Sequence, residues 1–170
     1  RFNDVDNVGI TGRHYTNFTM IGQTCFQPPG EYDQDRYFRD MLEFTVEKLG
    51  IPKQKLVLHE DSWGGGGNLG ACMEFFVDGL ELFNQVYMFY ERTPEGYEEL
   101  DLKVLDMGMG HERITWISNG TETSYESVMP ETLEKMKEQT GLEVNQDIWE
   151  SFLPYSSELN VDEVEDIDQK

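Results

Sequence analysis

The sequence predicts an α+β protein, an antiparallel sheet flanked by helices and followed by a helical segment. Three observations predict it. Apolar segments at about 71–78, 80–91 and 102–106 follow one another through connections too short for a helical crossover, with Thr93-Pro94-Glu95-Gly96 reading as a turn. Residues 33–49 carry Tyr37, Met41, Phe44 and Leu49 near helical spacing, and Gly50 with Pro52 closes that pattern. From Glu112 onward the character of the chain changes to helix.

Taken in order, residues 1–12 are rich in Asn, Asp and Gly and read as a loop. Arg13 to Gly22 alternates, with Phe18 and Met20 on one face, and reads as a strand. Pro28-Pro29-Gly30 breaks the chain before the helix from Asp33 to Leu49. Lys55 to His59 is a short strand, and Gly64 to Gly67 reads as a four-glycine loop ahead of the longer strands. Helices are expected at about 111–119, 124–140 and 145–153, with Pro130 interrupting or opening one of them. The tail after Leu159 is acidic. A shift in composition near Asn119-Gly120 suggests a division into 1–119 and 120–170.

Composition excludes some classes of function. The formal charge of −21, from 34 acids against 13 bases, repels a polyanion, so any RNA contact must be local and made through a few arginines. Cys25 and Cys72 lack Cys-x-x-Cys spacing and read as free thiols of a reducing compartment, hence a cytoplasmic protein. No apolar run is long enough to span a bilayer, so no membrane partner is expected. His14, His59 and His111 have no zinc-site spacing, and Glu74 and Glu81 are the acids considered as helpers for a magnesium ion. The chain opens on Arg1 without an initiator Met, and we expect it to be part of a longer protein.

The densest signal is Val104-Leu105-Asp106-Met107-Gly108-Met109-Gly110-His111-Glu112-Arg113. An apolar strand ends in an acid, two glycines suggest a sharp turn, and an arginine follows in the first helical turn. Free N–H groups of a helix start, together with a guanidinium fork, make an anion site. It is not a Walker loop, because no Gly-Lys-Ser/Thr follows. Asp106 reads as a buried acid whose unpaired carboxylate would be costly, satisfied either by a ligand ammonium or by a neighbouring arginine. By residue type alone, Phe18 is equally a core strand aromatic, and His14 a loop histidine bonded to the backbone.

The Gly-x-Gly-x-Glu-Arg run at 108–113 resembles motif 3 of the class II aminoacyl-tRNA synthetases, and Arg1 through Met20 resembles their motif 2. Asp6-Asn7-Val8-Gly9, Thr11-Gly12-Arg13-His14, Asp61-x-Trp63-Gly64-Gly65-Gly66-Gly67-Asn68, Asn84-Gln85-Val86-Tyr87-Met88 and Thr121-x-x-Ser124-Tyr125-Glu126-Ser127-Val128 narrow the likeness. In that order they resemble the alanyl-tRNA synthetases, above all the archaeal-type branch.

The resemblance implies a class II synthetase-like sheet beginning inside motif 2, with motif 1 absent, and then the start of a tRNA-recognition region from residue 120. It implies ATP as substrate with Mg²⁺, L-alanine, and the acceptor stem of tRNA(Ala) as partner. Arg1 would reach the α-phosphate and Arg113 the terminal phosphate, these two being the catalytic arginines. Phe18 would stack on adenine, Asp4, Arg13 and His14 would hold the nucleotide from the loop, and Gly108 and Gly110 would line the ATP site. Asp106 would bind the α-amino group of alanine, with Trp63 and Val86 as walls and Asn84 as the polar group of the pocket. The alternative is a paralogue that keeps the fold as a non-catalytic nucleotide- or tRNA-binding module.

Overall fold

A computed structural model describes residues 2, 3, 5–142, 145 and 147. The expected helix at 145–153 and the acidic tail lie, apart from Asn145 and Asp147, outside the described residues, as do Arg1 and Asp4. The chain divides into two compact units, one formed by residues 20–110 and the other by residues 1–19 with 111–170.

The first unit is a five-stranded sheet. Its strands are β1 (Met20–Gln27), β2 (Leu56–Gly65), β3 (Asn68–Val77), β4 (Leu80–Thr93) and β5 (Gly96–Gly110). Their order is β1-β5-β4-β3-β2, and every pairing is antiparallel. Three tight hairpins build most of it. Gly66-Gly67 and Asp78-Gly79 turn with positive φ at both residues, the geometry that matches the twist of two-residue hairpins. Pro94-Glu95 makes the third turn.

The four-glycine run is therefore not a loop throughout. Gly64 and Gly65 belong to β2, and only Gly66 and Gly67 turn. The strand expected at 102–106 begins at Gly96. The strand expected from Arg13 begins only at Met20, so Phe18 precedes it and is 37% exposed rather than a core strand residue.

Helix α1 (Gln34–Glu43) continues as one π-helical stretch, Phe44–Lys48, which together fill the span read from the sequence. The Asp33 side chain caps it by accepting from the Arg36 N–H at 2.9 Å. Tyr37 and Met41 are buried. The Tyr37 carbonyl accepts from Gln85 Nε2 at 2.9 Å, and Gln85 Oε1 accepts from the Tyr87 hydroxyl at 2.8 Å, so the fully buried Gln85 is satisfied. Phe38 packs on Phe75, which stacks on Phe83 at 4.3 Å. One face of the sheet, carrying Met73, Phe75, Phe83, Gln85, Tyr87, Leu105, Met107 and Met109, is thus the core face.

In the second unit, α2 (His111–Asn119) follows β5 directly, and α3 (Ser124–Val128) is separated from α4 (Pro130–Thr140) at Met129. Pro130 at the first position of α4 opens that helix, as its ring allows. Gly141 at φ 65° closes it.

Candidate functional site

On a strand, successive side chains alternate between faces, and cross-strand partners share one. The register therefore assigns the open face of the sheet without ambiguity. One row across it is Asp61, Cys72, Val86, Asp106 and Thr24. The next is His59, Glu74, Asn84, Gly108 and Gly22, and on the other side lies Trp63, Gly70, Met88, Val104 and Phe26. Every residue expected for alanine, and both glycines expected for ATP, share this face.

Asp106 and Val86 are direct neighbours, and Asn84 is one step diagonal. Val86 is buried at 4% exposure, packed with Cys72 and Met88. Asp106 is exposed, which corrects its reading as a buried acid. β5 does not end there but continues to Gly110, and alternation hands burial to Leu105, Met107 and Met109. Desolvation therefore does not drive Asp106 to seek a cation.

Gly108 and Gly110 also depart from expectation. Neither turns the chain: both are paired in β5, Gly108 with Gly22 and Asn84, Gly110 with Met20. They carry no side chain on this face, and the end of the Met20 side chain lies over Gly108. A Cβ on Gly108 would fall 2.6 Å from Met20 Cε and 3.9 Å from Asn84 Oδ1. The pair Gly22–Gly108 is a floor of backbone next to Asp106, and Gly22 and Thr24 were not singled out from sequence. Trp63 shares the face but stands three strands from Asp106, and its indole lies over Gly65. It is 38% exposed.

Glu74 and Glu81 are engaged with side chains of the same face. Glu74 Oε2 lies 2.8 Å from His59 Nδ1, and Glu81 Oε1 accepts from Asn84 Nδ2 at 3.3 Å. The Glu74 hydrogen bond raises the His59 pKa above its ordinary value, with desolvation opposing and the charges of Glu74 and Asp61 adding. Among the described residues no group of three His, Cys, Asp or Glu side chains is arranged to hold a metal ion. Cys72 and Cys25 are free thiols, and burial pushes the Cys72 thiol up to about 11.

The second unit holds the other candidates. Burial lowers the pKa of the Arg13 guanidinium, and the charge of Arg113 lowers it further. The two guanidiniums are thus near enough for their charges to interact. The segment bearing Arg13 is held by residues of α2 and α3. Glu112, 8% exposed, accepts the Thr19 N–H on both carboxylate oxygens at 2.9 and 3.2 Å, and the His111 N–H bonds the Thr19 carbonyl.

From α3, the Tyr125 hydroxyl accepts from the Gly9 N–H at 2.8 Å and donates to the His14 carbonyl at 2.7 Å. Ser124 donates through both its hydroxyl and its N–H to the Gly12 carbonyl and accepts from the Tyr15 hydroxyl at 2.6 Å. Burial, chiefly, pushes Tyr15 up to about 12. The His14 ring is hydrogen-bonded through Nδ1 to the Thr11 hydroxyl. Ser124, Tyr125 and Glu112 were not assigned a role from sequence. The readable signal was the capping box, Thr123 with Glu126, which places Ser124 and Tyr125 in the first turn of a helix.

Known proteins resemble this chain over most of its length. The alanine–tRNA ligase of Methanocella arvoryzae is 48% identical over 170 residues, covering 98% of this chain and 19% of its own length. That of Methanopyrus kandleri is 43% identical over 150 residues, covering 85% of this chain and 16% of its own length. The chain thus spans about a fifth of the length of the curated relatives it matches. Among solved structures, the pyrrolysyl-tRNA synthetase of Desulfitobacterium hafniense aligns at a TM-score of 0.45 and 20% identity, over 69% of this chain and 39% of its own. The family model described as tRNA synthetases class II (A) matches residues 1–159. With that span matched, the chain belongs to the class II (A) tRNA synthetases.

Proposed function

We propose that this chain supplies amino-acid- and nucleotide-binding parts of an alanine–tRNA ligase, which activates alanine with ATP to alanyl-adenylate and passes the alanyl group to tRNA(Ala). The observation that carries the reading is the neighbourhood of Asp106. An exposed carboxylate stands beside the buried Val86, with Asn84 diagonal to it and the side-chain-free pair Gly22–Gly108 alongside, the flexible end of Met20 lying over Gly108. This suits a small amino acid: the carboxylate takes the ammonium, the apolar wall takes the methyl, and the glycine floor admits the backbone of the ligand once the Met20 side chain turns aside.

In the reaction, an oxygen of the alanine carboxylate attacks the α-phosphorus of ATP, and pyrophosphate leaves with the bonding electron pair. Negative charge grows on the phosphoryl oxygens, so fixed cations rather than a protein nucleophile lower the barrier. Arg113 and Arg13 are assigned to that charge, supported by their mutual proximity and by the anchoring of their segment through Glu112, Ser124 and Tyr125. Arg1 and Asp4 are assigned to the nucleotide on family resemblance alone. Phe18, exposed ahead of β1, is assigned to the adenine face, and His14 to the loop that holds the nucleotide. Mg²⁺ would neutralise ATP phosphates, and such ions are commonly held by substrate phosphates with one or two carboxylates. Glu74 and Glu81 do not fit that part, being committed to His59 and Asn84, so no step here passes through the metal.

Residues 1–119 are proposed as catalytic core and 120–170 as the beginning of a tRNA-recognition region. The contacts of Ser124 and Tyr125 with residues 9–15 give the start of that region a second task, bracing the nucleotide loop. The test is amino-acid-dependent ATP–pyrophosphate exchange by the full-length protein across a panel of amino acids. Exchange that depends on alanine supports the reading. Exchange that is absent, or depends on a different amino acid, rejects it.

A further inference from the structure

Glu81 has no place in the chemistry above, yet the sheet bends to present it. Residues three apart on a regular strand point to opposite faces, so Glu81 and Asn84 should not meet. They do because Phe75 pairs with Phe83 while Phe76 pairs with Glu81, which inserts one extra residue into β4 at Leu82. Such bulges re-aim side chains. This one returns Glu81 to the face of Asn84, and Glu81 Oε1 accepts from Asn84 Nδ2 at 3.3 Å.

The consequence lies in which end of the amide is left over. A carboxylate accepts hydrogen bonds and cannot donate them when ionised, so it selects the amide nitrogen and repels the amide oxygen. Asn84 Oδ1 is thereby turned the other way, to 3.9 Å from where a Cβ on Gly108 would stand. Gly108 has no side chain there, and Asp106 is two residues before it on the same face. The Asn84 carbonyl oxygen and Asp106 then flank the same side-chain-free position at Gly108, over which only the flexible end of Met20 reaches. An ammonium needs several acceptors at once, and two of differing charge and fixed direction can supply them.

We propose that Glu81 is a positioning residue for the amino-acid site, fixing the Asn84 amide so that its oxygen, rather than its nitrogen, faces the substrate ammonium held by Asp106. The inference rests on the alanine-activating reading of the preceding subsection. Without Glu81, the amide is free to turn, and its NH₂ group opposes the ammonium in part of the population.

The experiment uses the full-length protein with Glu81→Ala, Glu81→Gln, Asn84→Ala and the pair Glu81→Ala with Asn84→Ala. Pyrophosphate exchange is followed with alanine and ATP varied separately. Glu81→Ala is expected to raise the alanine KM about tenfold, the scale of one misdirected hydrogen bond to a charged group, with the ATP KM unmoved. Glu81→Gln, whose Oε1 still accepts from Asn84, should restore the alanine KM to within about threefold. The pair should be no worse than Asn84→Ala alone, because Glu81 acts through Asn84.

If Glu81→Ala does not fold, the exchanged pair Glu81→Gln with Asn84→Asp serves instead. There the introduced glutamine amide donates to the new carboxylate, and alanine activation should survive, whereas Asn84→Asp alone, facing Glu81, should lose it. An alanine KM unmoved in Glu81→Ala beside a normal wild type overturns the inference alone. So does equal damage in Glu81→Ala and Glu81→Gln, or failure of the exchanged pair. A wild type without alanine-dependent exchange overturns the functional reading, and the inference with it.

Discussion

Glycine is used in this sheet for close approach, and two substitutions separate its two purposes. A Cβ at Gly70 would fall 1.8 Å from the Tyr87 carbonyl oxygen and 2.8 Å from Met88 Cα, at the irregularity where β3 shifts register against β4. Real Cβ atoms do not come within 3 Å of such atoms, and both neighbours are backbone of a central strand, so the sheet itself must move by more than an ångström. Overpacking of that kind costs on the order of 3 kcal/mol. For a chain of this size that corresponds to a fall in Tm of about 6–12 °C.

At Gly108 the clash is 2.6 Å, but with Met20 Cε, the far end of a flexible side chain that is 56% exposed. Gly108→Ala should therefore leave Tm within about 2 °C, since Met20 can rotate aside. It should still impair alanine and ATP use, because the new methyl rises from the floor beside Asp106. Thermal unfolding followed by circular dichroism, paired with exchange kinetics, reads both effects. A Gly70→Ala protein as stable as the parent would refute the argument from backbone approach. A Gly108→Ala protein with unchanged kinetics would refute the assignment of the floor.

Three further outcomes are expected. Glu112→Ala removes a nearly buried carboxylate that accepts the Thr19 N–H twice, and should cost roughly 2 kcal/mol in a denaturant melt. Tyr125→Phe removes a hydroxyl that both accepts from Gly9 and donates to His14; unfolding should lose about 1–2 kcal/mol and the ATP KM should rise, as read by calorimetric melting and exchange kinetics. In a proton-NMR titration His59 should titrate above the ordinary imidazole range and return to it in Glu74→Gln. A raised folded pKa means the protonated His59–Glu74 pair favours the fold, so its contribution is complete below the ordinary histidine value and fades as pH climbs through the raised one.

How far the sequence could be read depended on whether the signal was local. The helix from Asp33 was legible because its cap, its period and its stop at Gly50 are all within the segment. Two of the hairpins were legible, from the short gap between the apolar segments at 71–78 and 80–91 and from the turn at Thr93-Pro94-Glu95-Gly96. The burial of Asp106 was misread because an apolar run does not say which residues face the core. Leu105 and Met107 take the covered face and leave Asp106 to the open one, and only the pairing with Val86 and Thr24 settles that.

Gly108 and Gly110 were read as turn residues because Gly-x-Gly before a helix usually is a turn, whereas here the strand continues through them, paired with Gly22 and Met20 of β1. The contact of Glu81 with Asn84 depends on a bulge, which no periodicity in one strand reveals. The clamp of Ser124 and Tyr125 on residues 9–15 joins segments more than a hundred positions apart, beyond the reach of any local pattern.

The most direct test of the amino-acid site is Asp106→Asn in the full-length protein, with pyrophosphate exchange measured while alanine and ATP are varied separately. The amide keeps the shape and removes the charge, and a hydrogen bond to a charged group is worth about 1.5–3 kcal/mol. We expect a loss of roughly ten- to a hundredfold in alanine KM or kcat/KM, with the ATP KM unchanged. A raised ATP KM with unaltered alanine parameters would contradict the assignment of Asp106 to the amino acid.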